Sequence, residues 1–273
     1  MKDIGQLKQI AREVRKNILT MSARAKSAHM GGALSVVEIL VTLYYQIMKN
    51  NPKNPEDPKR DRLILSKAHD AKALFAVLAE CGYFDKKILE GYEMDGGILA
   101  GHSVRHAVPG VEASAGALGH GLSIATGVAL AGKKSGQKYK TYAILSDGEC
   151  DEGSIWEAAL FAGHHALENL VVVIDHNKLQ GYGYTKDVLN LEPFAEKWES
   201  FGFGVKEVEG HDMKKLSSVF SKTPFKKHKP SVVIAHTIKG LGGMKQHIGQ
   251  ISSQYKPPTQ DELADLLIEL EKS

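Results

Sequence analysis

Between Ile144 and Gly183 the chain reads ILSDGECDEGSIWEAALFAGHHALENLVVVIDHNKLQGYG. An apolar strand runs into Ser146-Asp147-Gly148, an acidic turn and a helix follow, and a second apolar strand ends at Asp175-His176-Asn177. A strand–helix–strand unit of this kind makes the two strands parallel, and a parallel sheet needs helices on both faces. Two oxygen-bearing side chains, Asp147 and Asn177, then stand at the carboxyl ends of two strands, where open α/β sheets bind ligands.

The same alternation runs along the chain. Helices are expected at 4–26, 35–49, 68–81, 119–134, 154–167, 193–201, 213–222 and 261–272. Strands are expected at 63–65, 142–145, 170–175, 205–208 and 231–235. The fold class is therefore α/β, a three-layer parallel sheet. The 273 residues suffice for one large domain, 1–273. A long glycine-bearing segment, 95–116, lies between the third helix and the fourth, and the stretch MKQHIGQISSQYKPP after Gly243 is expected as a mobile loop.

Asp147 and Asn177 suit a hard cation. Mg²⁺ or Ca²⁺ takes oxygen ligands, few of them anionic, and fills its remaining positions with phosphate and water. A carboxylate at Asp147, an amide oxygen at Asn177 and a backbone carbonyl just after it, at Leu179, make half an octahedron. Gly148 lets a phosphate approach the backbone. A helix opening near Gly153 is expected to turn its N–H groups to the same anion. Taken alone, Ser-Asp-Gly is also an ordinary turn tripeptide.

Charge and cysteine content exclude other classes. A formal net charge of +3 with dispersed Lys and Arg does not suit nucleic acid. The cluster Lys226, Lys227, His228, Lys229 reads as a solvated loop. Two distant cysteines, Cys81 and Cys150, give neither a disulfide framework nor a zinc pattern, in keeping with a reducing cytoplasm. The N-terminal stretch carries Asp3 and Glu13 and reads as a structural helix, not a transit peptide. The apolar run VVEILVTLYYQIM is broken by Glu38 and too short for a bilayer, so no membrane is expected.

Further words along the chain make a pattern with this core: KSAHMGGALS at 26–35, RDRLILSKAHDA at 60–71, GALGHG at 116–121 and HTIKGLGG at 236–243. With Asn177 following Asp147 by 30 residues, the set resembles the thiamine diphosphate-binding, N-terminal half of transketolases, in the family's order and over almost the whole chain. The resemblance implies thiamine diphosphate with Mg²⁺, Ca²⁺ being an alternative, and ketol transfer between sugars. It assigns Asp147, Asn177 and Leu179 to the metal. His69, Gly116, Leu118, Gly148, Glu152 and Asn177 go to the cofactor, and His29, His69 and His102 to catalysis at the sugar. His106 competes with His102. His247 lies in the segment that should hold the family's last active-site histidine, but its local motif is not preserved. For His164, His165, His211 and His228 the ordinary reading, loop or core residues, stands.

Several residues have a plainer reading beside the functional one. Glu152 matches a family glutamate that pairs across a subunit interface, and a carboxylate there also suits a helix N-terminus. GALGHG suits a cofactor ring wall and equally close helix packing. Glu149 and Asp151 read as solvated or supporting residues. Three positions depart from the family pattern: Ser146 for Gly, Met30 for Pro and Asp70 for Gly. In the family, the glutamate acting on the aminopyrimidine lies in a second domain that these residues do not match. The resemblance thus implies one subunit of a split transketolase, completed by a separately encoded C-terminal partner as an α₂β₂ assembly. The alternatives are the α subunit of a 2-oxo acid dehydrogenase, which lacks the SAHMGG and SKAHDA motifs, and a non-catalytic scaffold.

Overall fold

A computed structural model describes residues 2–272. Helix α1 (Ile4–Ala25) opens on a capping box in which Asp3 accepts from the Gln6 N–H and Gln6 reaches back to Asp3. The short helices α2 (Met30–Ser35) and α3 (Val37–Thr42) follow, then a π-turn, Leu43–Ile47. Next come strand β1 (Arg62–Leu65), helix α4 (Ala71–Cys81), helix α5 (His120–Lys134), strand β2 (Thr141–Ser146), helix α6 (Gly153–His164) and strand β3 (Leu170–His176). The chain continues through α7 (Thr185–Val188), α8 (Phe194–Ser200), β4 (Gly204–Glu209), α9 (Met213–Phe220) and β5 (Ser231–His236). Helices α10 (Ser252–Tyr255) and α11 (Gln260–Glu271) complete it.

The five strands form one all-parallel sheet in the order β1-β2-β3-β5-β4. Alternation along each strand divides the interior into two cores. Tyr142, Ile144, Val171, Val173, Val233 and Ala235 point to the side of α1, α3, α4, α9 and α11. Ala143, Leu145, Val172, Ile174, Val232 and Ile234 point to the side of α5, α6 and α8. β3 is buried at every position, as expected for a central strand with apolar residues facing both ways. The expected three-layer architecture is the one observed.

Two expectations need correction. The helix expected over 35–49 is observed as α3 and the π-turn, 37–47, and it is preceded by α2, which was not expected: Ser35 Oγ lies 2.9 Å from the Gly32 carbonyl and 2.6 Å from Asp175 Oδ2, and α2 ends there. A side-chain hydroxyl competing for a backbone carbonyl bends helices, and here it also ties this one to the sheet. The segment after Gly243 is not a free loop. It holds a 3₁₀ turn at Lys245–His247 and α10, with the His29 N–H donating to the Gln254 carbonyl at 2.5 Å and the Gly249 N–H to the Lys239 carbonyl at 2.8 Å. No helix among the described residues is long and apolar enough to cross a membrane.

Candidate active site

β2 and β3 pair with Ser146 opposite Asp175, so Asp147 and Asn177 leave the sheet side by side at its carboxyl edge. A cleft of about 320 Å³ opens there, gathering His29, Lys67, His69, Asp70, His102, Gly116, Leu118, Asp147, Gly148, Asn177 and Leu179 from separate motifs. A larger hollow of about 800 Å³ lies elsewhere, against α1, α9 and α11, and holds the Arg15–Glu38 ion pair beside His211. It contains none of the residues assigned above to the metal, the cofactor or the sugar.

The oxygen donors are buried and oriented. Asp147 is 1 % exposed; the Gly148 N–H donates to Oδ1 at 2.8 Å and the Lys178 N–H to Oδ2 at 2.5 Å. Asn177 donates through Nδ2 to Asp175 Oδ2 at 3.4 Å, which leaves Oδ1 to accept from the Leu179 N–H at 3.1 Å. The Leu179 carbonyl accepts from Lys239 Nζ at 2.9 Å, so a cationic group already lies against these oxygens. Burial, with Asp175 nearby, pushes the Asp147 carboxyl up to about 7 despite its two N–H donors. Among the described residues no three His, Cys, Asp or Glu side chains gather as a metal cluster. A cation here would rest on one carboxylate, one amide and one carbonyl, all hard oxygens, and would take its other ligands from a bound anion and water. That donor set fits Mg²⁺ or Ca²⁺ held jointly with a phosphate.

Beneath the oxygens sits a buried charge triad. Lys67 Nζ is 2.5 Å from Asp175 Oδ2 and 2.8 Å from Asp70 Oδ2, and none of the three side chains is exposed. Asp175 also accepts from Thr237 Oγ1, which locks the ends of β3 and β5 together. Burial alone would raise the Asp70 carboxyl, but Lys67, with His69, holds it below the usual carboxylate range. Burial likewise opposes the Lys67 ammonium, and the two carboxylates nevertheless hold its pKa above the ordinary value. Gly32 is required here, since a Cβ would fall 2.5 Å from Asp70 Oδ2.

Three histidines converge above the triad. The His29 ring centroid is 5.1 Å from that of His69 and 6.4 Å from that of His102. His29 adopts φ 64°, a left-handed conformation that costs energy for a residue with a Cβ. Burial lowers its pKa, with Asp70 opposing. The His69 pKa is lowered to about 4, chiefly by burial, with Asp70 opposing and Lys67 adding. Both rings are therefore neutral near neutral pH. Gly116 lies against His102, its Cβ position 3.7 Å from the ring. His106 lines a different hollow with Arg60 and Glu112, and His247 pairs with Ser252 Oγ at 2.7 Å outside the cleft.

Some expectations fall outside this geometry. The N-terminus of α6 does not line the cleft, because a 3₁₀ turn, Gly148–Asp151, stands between β2 and the helix. Glu152 lies beyond the lining, exposed at the start of α6 and packed against Gly119. Of its two readings, solvated or supporting, Glu149 takes the second. It is fully buried and accepts from Ser66 Oγ, from the Gly119 N–H at 2.8 Å and from the Ser146 N–H at 3.3 Å, joining the ends of β1 and β2 to the GALGHG segment. Motif reading also missed Lys67, Asp175, Lys239 and Gln254. The two lysines sit inside SKAHDA and HTIKGLGG, so their positions were signalled there, whereas nothing around Gln254 marks it.

Comparison with known proteins agrees with this assembly. The family described as transketolase, thiamine diphosphate binding domain, matches residues 7–270. The chain is 42% identical over 266 residues to an apulose-4-phosphate transketolase subunit of Actinobacillus succinogenes, covering 97% of this chain and 96% of that protein. It is 38% identical, over the same shares, to 6-deoxy-6-sulfo-D-fructose transketolase subunit SqwG of Clostridium sp. strain MSTE9. Among solved structures, transketolase from Campylobacter jejuni superposes with a TM-score of 0.92 at 29% identity, over 99% of this chain and 43% of that one. Transketolase from Leishmania mexicana gives 0.90 at 28%, over 97% of this chain and 41% of that one. The chain thus spans about two fifths of these solved transketolases.

Proposed function

Because the chain belongs to the thiamine diphosphate-binding transketolase family, we propose that it is the cofactor- and Mg²⁺-binding subunit of a two-subunit transketolase, moving a two-carbon ketol unit from a ketose to an aldehyde. The observation that carries this reading is that three neighbouring imidazoles line one cleft together with Asp147, Asn177 and Leu179. Relatives matched over nearly their whole length and called transketolase subunits support it.

Thiamine diphosphate, when bound, supplies an ionisable thiazolium carbon and an electron sink. The protein's share is to hold, orient and move protons. Asp147, Asn177 and the Leu179 carbonyl hold Mg²⁺, with Ca²⁺ as the alternative, and through it the diphosphate. Lys239 adds positive charge beside them. Gly148 keeps the backbone open at the phosphates, and Gly116 and Leu118 line the cleft where a ring would lie. His29, His69 and His102 address the sugar, and the half-buried rings of His29 and His69, being neutral, can each donate one hydrogen bond and accept another. His69 also reaches the diphosphate.

The glutamate that acts on the aminopyrimidine comes from a separately encoded C-terminal partner, in a cytoplasmic α₂β₂ assembly. That partner docks over the carboxyl edge of the sheet, near GALGHG and the exposed Glu152. The donor and acceptor are sugars, and the charged floor at Asp70 bears on which ones.

Calorimetry tests the metal and cofactor assignment. Asp147→Ala removes the only anionic ligand, so thiamine diphosphate with Mg²⁺ should bind more weakly by on the order of 3 kcal/mol, over 100-fold. Asn177→Ala should act in the same direction and less strongly. Parental affinity in Asp147→Ala would sink the assignment.

A further inference from the structure

The segment carrying α10 ends against His29, and the contact is made by one residue. Gln254 is 6 % exposed and lines the cleft. Its carbonyl accepts from the His29 N–H at 2.5 Å, and its side-chain Nε2 lies 2.5 Å from His29 Nδ1. Neighbouring Ser253 fixes the placement, since a Cβ at Gly31 would fall 2.3 Å from its Oγ. Tyr255 anchors the other side through a hydrogen bond from its hydroxyl to the Gly181 carbonyl at 2.9 Å.

Two consequences follow from hydrogen-bond chemistry. An amide N–H can only donate, so His29 Nδ1 accepts, and a neutral ring must then carry its proton on Nε2. The amide's other atom, Gln254 Oε1, is buried with no hydrogen-bond partner among the described residues. A buried acceptor without a donor is costly, and in a functional cleft it marks a place where a ligand supplies the donor. An imidazole N–H and an amide oxygen from two residues lining one cleft can together serve a sugar, whose hydroxyls accept from the first and donate to the second.

We infer that Gln254 has two roles: its Nε2 fixes His29 as the Nε2–H tautomer, and its Oε1 accepts a hydrogen bond from a hydroxyl of the sugar substrate. The first role is a property of the folded chain. The second rests on the cleft being a ketol-transfer site.

The two roles are tested separately. In long-range ¹H–¹⁵N spectra of the ¹⁵N-labelled chain alone, His29 should show a protonated Nε2 and an accepting Nδ1. Gln254→Leu should give a mixture of tautomers, and Gln254→Glu, whose carboxylate can only accept, should move the proton to Nδ1. A wild-type His29 protonated at Nδ1 would overturn the positioning role, and that result needs no variant to fold. With the C-terminal partner present, Gln254→Leu should raise the ketose KM about tenfold or more while leaving thiamine diphosphate affinity within about twofold. An unchanged KM would overturn the hydroxyl contact. If the wild-type pair transfers no ketol from any donor, the functional reading fails and the hydroxyl contact with it, while the tautomer result still stands or falls by itself.

Discussion

Lys67→Met isolates the charge triad under the cleft. In the wild type one ammonium serves two carboxylates, at 2.5 and 2.8 Å, and all three groups are removed from water. Methionine nearly matches the lysine stem in volume, so packing changes little and the loss is electrostatic. Breaking a single buried pair costs ~3–5 kcal/mol because a charge is left without a partner; here two carboxylates are left, and about 5 kcal/mol is expected. Asp70→Asn should behave differently, as it leaves the Lys67–Asp175 pair intact and removes a carboxylate that has no well-aligned hydrogen bond. It should cost roughly 1 kcal/mol or less.

A pH comparison separates this from simple misfitting. In Lys67→Met, Asp70 keeps its burial and loses the cation that offsets it, so its folded pKa rises above that of the unfolded chain. A carboxyl raised on folding favours the folded state at low pH and loses that advantage as pH rises through the raised value. Urea unfolding followed by circular dichroism should therefore show a wider gap between wild type and Lys67→Met at pH 8 than at pH 5.5. A loss below about 1 kcal/mol, or a gap equal at both pH values, would refute the charge argument.

Two further outcomes are expected. His69 has a folded pKa of about 4 against 6.5 in the unfolded chain, so the unfolded chain takes up the proton first as pH falls, and stability declines between those limits. At about 1.4 kcal/mol per pH unit the window is worth on the order of 3 kcal/mol; His69→Gln should flatten the urea-midpoint profile from pH 6.5 downward, and parallel profiles would contradict it. In the assembled enzyme His102→Ala should lower ketose turnover roughly 10- to 100-fold with cofactor affinity nearly intact, while His106→Ala, in a different hollow, should do little. The opposite ranking in steady-state kinetics would move the role to His106.

The elements were legible because β-branched runs such as LVVVID and SVVIAH alternate with helical stretches, and that pattern leaves few alternatives to a covered parallel sheet. The convergence of His29, His69 and His102 was legible only through motifs, since their separation in sequence says nothing about a 5 to 6 Å approach. What could not be read were groups whose meaning depends on burial. Lys67 and Lys239 look like surface cations until the fold places them among carboxylates and carbonyls. Glu149, in an acidic turn, reads equally as solvated or supporting until Ser66 and the Gly119 N–H close over it. Gln254 lies in a stretch without periodicity, and only tertiary packing brings it to His29. The short helix α2 and its end at Ser35 have the same origin, a side chain bonding to an aspartate 140 residues away.

The most direct measurement is ketol transfer by purified components: this chain alone, the C-terminal partner alone, and the two together, each saturated with thiamine diphosphate and Mg²⁺. Turnover should appear only in the mixture, with the two chains co-eluting on size-exclusion chromatography, because in the proposed division of labour this chain supplies the diphosphate anchor and the imidazoles and the partner supplies the glutamate that drives the cofactor's proton transfer. Robust turnover by this chain alone, or none by the pair with any ketose donor, would contradict the account.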